Sequence, residues 1–110
     1  MSSLKTPEAC ESLTDIRAGI DFFDRQILES LQQRLGYVKA AVRFKVNEQA
    51  IPAPERVAAM LQDRREWAVD TGFDVDFVEK LYEHIIYWNI QQQISHWRAL
   101  YPQQSTENAG

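Results

Sequence analysis

The sequence predicts an all-α fold of three helices per chain, one of them very long. Apolar residues recur at three- and four-residue spacing through most of the chain, the signature of amphipathic helices. The four prolines fall at positions 7, 52, 54 and 102, where they bound the periodic stretches instead of interrupting them. No run alternates apolar and polar residues as a half-buried strand would, and no internal repeat or low-complexity segment competes with the helical reading.

The first helix is expected from Ser12, an N-cap residue, to about Lys45, with no proline inside it and only a small cost at Gly19 and Gly36. Residues 46–53 then form a loop, because Pro52 and Pro54 would strip hydrogen bonds from any helix crossing them. Pro54 suits the first turn of a second helix, with Glu55 near the positive end of its dipole and a stripe of Val57, Met60, Leu61, Arg64, Trp67 and Ala68. Gly72 ends that helix. Asp74 or Asp76 caps the third, which is expected to place Phe77, Leu81, His84, Ile85 and Trp88 on one face and to run to about Tyr101. The core thus spans about residues 7–101, and 102–110 read as a polar, disordered tail.

A chain of 110 residues forms a single domain, since cores rarely divide below about 200 residues. Apolar residues at 45% and charged residues at 25% give the ordinary globular balance. No stretch approaches the roughly 18 apolar residues of a membrane span, and the start of the chain lacks the apolar run of a secretory signal, so a cytoplasmic protein without a membrane partner is expected. The net charge of -4 argues against a nucleic-acid partner. One cysteine, Cys10, and two distant histidines, His84 and His96, offer no metal-ligand spacing. Neither metal nor cofactor is expected.

Positive charges within the apolar stripes are the functional signal. Alternate steps of three and four along the first helix trace Arg17, Ile20, Asp24, Ile27, Leu31, Arg34, Val38, Ala41 and Lys45 as one seam. The matching walk on the third helix is Ile86, Ile90, Gln93, Trp97 and Leu100, with Gln93 its one polar member. Arg17 and Lys45 could snorkel from the helix ends while Arg34 pairs with an acid such as Asp24 of another chain. Alternatively, the guanidinium forks and the ammonium bind the carboxylates of a small dicarboxylate, helped by Gln93. The second reading accounts for the want of an equal set of buried acids in the stripes. The histidines fall off the Gln93 walk, and the aromatic residues Phe22, Phe23, Trp67, Trp88 and Trp97 read as packing for the core or a dimer. In the loop, Glu48 and Gln49 are expected to face solvent, as part of either a plain connection or a lid.

Length and charge together imply a second subunit. A first helix of about 33 residues would be about 50 Å long, longer than the roughly 35 Å breadth of a compact chain of this size. Arg17 and Arg34 are separated by about 25 Å along the axis, too far to serve one small ligand from one chain. A homodimer in which the partner's long helix runs alongside, with shared sites, resolves both.

The segments Tyr37-Val-Lys-Ala-Ala-Val-Arg-Phe-Lys45 and Ala50-Ile-Pro-Ala-Pro-Glu-Arg-Val-Ala-Ala-Met-Leu61, with the seam cations, resemble the all-helical chorismate mutase family over roughly residues 7–100. Within it they look most like the isochorismate pyruvate lyase branch. The resemblance implies an intertwined helical dimer in which Arg17 reaches a carboxylate across the subunits, Arg34 holds the other carboxylate region and Lys45, the catalytic cation, faces the breaking ether bond. It also implies that Gln93 contacts that ether oxygen or the nearby carboxylate, that Arg56 is the second-helix arginine, and that Val38 and Ile90 form an apolar wall. The implied reaction turns isochorismate into salicylate and pyruvate, feeding salicylate or siderophore biosynthesis. Mutases of the family commonly follow the second-helix arginine with a glutamate for the ring hydroxyl of chorismate; Val57 stands there instead, which fits the lyase branch. Chorismate mutase activity, as a side reaction or alone, and a non-catalytic helical interaction module are the alternatives. The contact made by Asn89, one turn before Gln93, is left open.

Overall fold

The computed structural model describes residues 4–102, and the tail expected to be disordered lies, beyond Pro102, outside the described residues. Three α-helices are present among them: α1 (Leu13–Ala40), α2 (Pro54–Thr71) and α3 (Val75–Leu100). Short 3-10 turns occupy Pro7–Ala9, Ala41–Phe44 and Glu48–Ala50. The chain resolves into two compact units, Met1–Gly36 and Tyr37–Gly110.

In the first unit, α1 begins as its sequence dictates. The Ser12 hydroxyl accepts from the Asp15 N–H at 3.1 Å, while the Asp15 carboxylate accepts from the Glu11 N–H and from Lys5, each at 3.0 Å. One orphaned donor of the first turn, the Asp15 N–H, and the N–H of Glu11 just before the cap are thereby satisfied. The Glu11 hydrogen bond and, after it, the Lys5 ammonium hold the Asp15 carboxyl below its ordinary range. Farther along, Ile16, Ile20, Phe23 and Ile27 are exposed, and α1 buries none of its residues.

The second unit is a helical hairpin closed by the segment that precedes it. Pro54 stands at the start of α2, and Ala53 before it adopts a left-handed backbone (φ 40°). That conformation costs an L-residue about 1–2 kcal/mol. Ile51, 2% exposed, anchors the chain in the core two residues before Ala53. Gly72 ends α2 in the left-handed region (φ 72°), with its N–H bonded to the carbonyls of Ala68 and Val69, and the Phe73 N–H returns to Ala68 at 2.9 Å. Of the two candidate caps for α3, Asp74 takes the role, accepting from the Phe77 N–H at 2.8 Å, and Asp76 falls in the first turn. Arg65 pairs with Glu79 across the hairpin, and the Arg64 guanidinium lies 4.2 Å from the Trp67 ring and 5.5 Å from that of Tyr82.

One expectation is corrected here. The first helix does not continue to Lys45: the α-helix ends at Ala40 and tightens to 3-10 geometry over Ala41–Phe44. The tighter turn accompanies complete burial of Val42, which packs with Ile51 and Trp97, flanked by Ile90 and Ile94. Each such burial stabilises by about 1.5–3 kcal/mol, enough to override the modest preference for α over 3-10 geometry in one turn. On α3, the stripe of Phe77, Leu81, His84 and Trp88 is exposed, with Ile85 half-buried. The face that packs within the chain is that of Ile86, Asn89, Ile90, Gln93 and Trp97.

Candidate active site

The sequence-predicted residues divide between the two units. Arg17 and Arg34 both lie in the first, with Arg17 exposed and Arg34 half-buried. Seventeen residues apart on one helix, they stand about 25 Å from each other along its axis. One small ligand therefore cannot touch both within one chain. A separate groove of about 390 Å³ in this unit, walled by Leu4, Pro7, Cys10, Ile20 and Phe23, contains neither arginine.

Val38, Lys45, Arg56, Ile90 and Gln93 belong to the second unit. Gln93 on α3 donates from Nε2 to the Val38 carbonyl at 2.8 Å. The reason is local: α1 ends at Ala40, so the Val38 carbonyl is among the last four, which lack a regular intrahelical partner. A carbonyl can only accept, so the amide nitrogen must face it. This leaves the other Nε2 hydrogen and Oε1 for a ligand. Ile90, two turns before Trp97 on the same helix, packs against the Val42, Ile51 and Trp97 cluster.

Lys45 caps the 3-10 turn with extended backbone, its N–H bonded to the Val42 carbonyl at 3.0 Å. Its side chain is half-buried. Arg56 is exposed in the first turn of α2, where Val57 beside it is half-buried. Among the described residues Arg17, Lys45 and Arg56 have no acidic partner within ion-pair distance, in contrast to Lys5, Arg25, Arg65 and Arg98. Their positive charge is available to an anion.

Three features of this site were not read from the sequence. Asn89, 7% exposed, is a buried polar residue one turn before Gln93 on the same face, a placement the four-residue spacing from Gln93 and Trp97 could have revealed. Trp97 keeps its indole N–H buried without a hydrogen-bond partner. Glu48 is the third, and it corrects the expectation that it faces solvent: both carboxylate oxygens accept from Arg98 on α3, at 2.9 Å each. Its side chain is 13% exposed. The Arg98 hydrogen bonds hold the Glu48 carboxyl below its ordinary range, and Glu48 in turn raises Arg98. Nothing in local periodicity signals a partner 50 residues away.

A half-buried lysine and two exposed arginines without acidic partners, carried with a glutamine that has hydrogen-bonding capacity to spare on a frame that is helical among the described residues, mark a protein suited to a small polar anion. The family model for chorismate mutase type II matches residues 16–94, and the chain belongs to that family. It is 56% identical over 95 residues to the isochorismate pyruvate lyase of Pseudomonas aeruginosa, an alignment covering 86% of this chain and 94% of that protein. It is also 38% identical over 71 residues to the T-protein of Haemophilus influenzae, covering 63% of this chain but only 19% of that protein.

Proposed function

We propose that the protein is an isochorismate pyruvate lyase, acting without metal or cofactor as a cytoplasmic homodimer in which residues 7–101 form a single catalytic domain. The observation that carries this reading is the 56% identity spanning 94% of the Pseudomonas enzyme. Val57 supports the lyase over the mutase: an apolar residue follows Arg56 where a glutamate for the chorismate hydroxyl would be expected. The exposed apolar residues of α1 support a partner subunit, because Ile16, Ile20, Phe23 and Ile27 gain from leaving water.

In this reading Arg34 and Arg17 of the partner subunit bind the two carboxylates, with Val38 and Ile90 as an apolar wall and Arg56 adding positive potential. Forked guanidinium donors match carboxylate geometry. The bound side chain is folded over the ring, which removes much of the entropic barrier. The ring carbon–oxygen bond then breaks, the oxygen departs as the ketone oxygen of pyruvate, and a ring hydrogen passes to the methylene carbon, which becomes the methyl group. The ring is left aromatic as salicylate, a product suited to siderophore biosynthesis. Negative charge grows on the ether oxygen as the bond breaks, and the Lys45 ammonium, with the remaining Gln93 N–H, stabilises it.

A second reading, chorismate mutase activity alone, is favoured by the description of the family. One experiment separates them: purified protein is given isochorismate or chorismate in separate reactions. Salicylate fluorescence from isochorismate is expected. Prephenate from chorismate with isochorismate untouched would establish the mutase reading instead.

A further inference from the structure

The segment after Lys45 is held at two points. Asn47 caps its 3-10 turn, accepting from the Ala50 N–H at 2.9 Å through Oδ1, and Ile51 is sunk in the core. Between them, Glu48 grips Arg98 by two parallel hydrogen bonds. Before Lys45 stands Val42, fully buried, whose carbonyl holds the Lys45 N–H. Lys45 is thus three residues from an anchor on either side. Without the Glu48 tie, the span from Lys45 to Ile51 would be six residues, able to reach about 20 Å when extended.

We propose that Arg98 is a positioning residue: its bidentate ion pair with Glu48 fixes the segment that carries Lys45 against α3 and so sets the place of the Lys45 ammonium. The proposal rests on the lyase reading. A forked pair suits this task better than a lysine contact, because two parallel bonds define an orientation as well as a distance. Arg98 itself touches no reacting atom in this scheme. It acts through Lys45.

The test is a kinetic cycle on isochorismate. Arg98→Ala should lower kcat by about tenfold or more with little change in KM, since displacing a catalytic group by an ångström is costly. In a Lys45→Ala background the same substitution should lower kcat by no more than about twofold, because residues that act through one another do not add. The exchanged pair Glu48→Arg with Arg98→Glu should recover part of the loss, and Arg98→Lys should recover less than the native fork provides. Equal losses in both backgrounds, or no loss from Arg98→Ala, would overturn the proposal. Amide hydrogen exchange over residues 46–50 supplies a readout independent of turnover. Faster exchange in Arg98→Ala and in the milder Glu48→Gln supports the tether, and unchanged exchange in both refutes it. If the wild-type protein does not turn over isochorismate, the functional reading fails, and the exchange rates alone decide whether Arg98 orders this segment.

Discussion

Replacing Gln93 by methionine keeps the length of the side chain but deletes the donor that meets the Val38 carbonyl at 2.8 Å. A hydrogen bond of this kind contributes about 1 kcal/mol net, and leaving a buried acceptor unpaired adds about 1–3 kcal/mol. Both residues are half-buried, so water can reach part of the vacated space, and the lower part of that range applies. Gln93→Met should therefore cost about 1–2 kcal/mol of stability. For a chain of this size that corresponds to a fall of about 5–10 °C in Tm. Urea unfolding at one fixed protein concentration measures it, since association would otherwise shift the midpoint. Gln93→Glu adds a pH dependence. Its carboxylate would set negative oxygen against the Val38 carbonyl, and only the protonated form could donate. The introduced acid is thus favoured neutral in the folded state, and the sign follows: its penalty is present at neutral pH and shrinks as pH falls and the group takes up a proton. If Gln93→Met matches the wild type within error, and Gln93→Glu shows no relief in acid, the Gln93 to Val38 bond does not support the end of α1.

Lys45→Ala should retain helicity and lower kcat by about a hundredfold, with substrate affinity less affected, and Lys45→Arg should recover only part; circular dichroism with steady-state kinetics checks both, and near-normal turnover by folded Lys45→Ala would remove Lys45 from catalysis. Arg17→Ala and Lys45→Ala, each nearly inactive alone, should regain about a quarter of wild-type activity when unfolded and refolded together, because half the dimers are mixed and each has one intact site. No recovery on mixing would refute the shared site. Glu48, lowered in the folded protein from its ordinary 4.5, contributes stability in full above that value and loses it as pH falls through the lower folded one. Exchange protection of residues 46–50 should accordingly fall in acid in the wild type, and the difference from Arg98→Ala should vanish there.

The helix starts and stops that local chemistry encodes were legible in the sequence. Pro54 opens α2, Gly72 closes it in the left-handed region and Asp74, one of two candidate aspartates, caps α3, because each effect acts within one turn. The walk through Ile86, Ile90, Gln93 and Trp97 was legible as well, since the packed face of α3 keeps helical spacing, although Leu100, its expected last member, is exposed. Periodicity failed where distant residues decide the backbone. Val42 is drawn into a core completed by Ile51 and Trp97, which tightens the chain after Ala40 and takes Lys45 off an α-helical seam. Glu48 looked like a solvated loop acid because its partner is 50 positions away. The Phe77, Leu81 and Trp88 stripe is apolar yet uncovered by its own chain, and a hydrophobic period says only that a face seeks cover. Of the candidate site, residue types and helix faces were readable, whereas the Gln93 to Val38 bond was not.

That bond bears on how an anion could be held near the end of α1. The last carbonyls of a helix carry the negative end of its dipole, so a dicarboxylate brought close to them would be repelled. In the second unit the Val38 carbonyl is covered by the Gln93 N–H, and the Val42 carbonyl by the Lys45 N–H. Lys45 follows directly, with a cation where the dipole favours one. A substrate carboxylate or a developing ether anion would then meet an ammonium and an amide N–H in place of bare lone pairs. Gln93 would then serve twice: one amide hydrogen covers a repulsive group and the other is left for a ligand. Its loss should weaken substrate binding as well as turnover, whereas loss of Lys45 falls mainly on turnover. The ratio of KM to kcat effects in the two variants therefore separates a group that makes the site tolerant of anions from one that acts chiefly in the transition state.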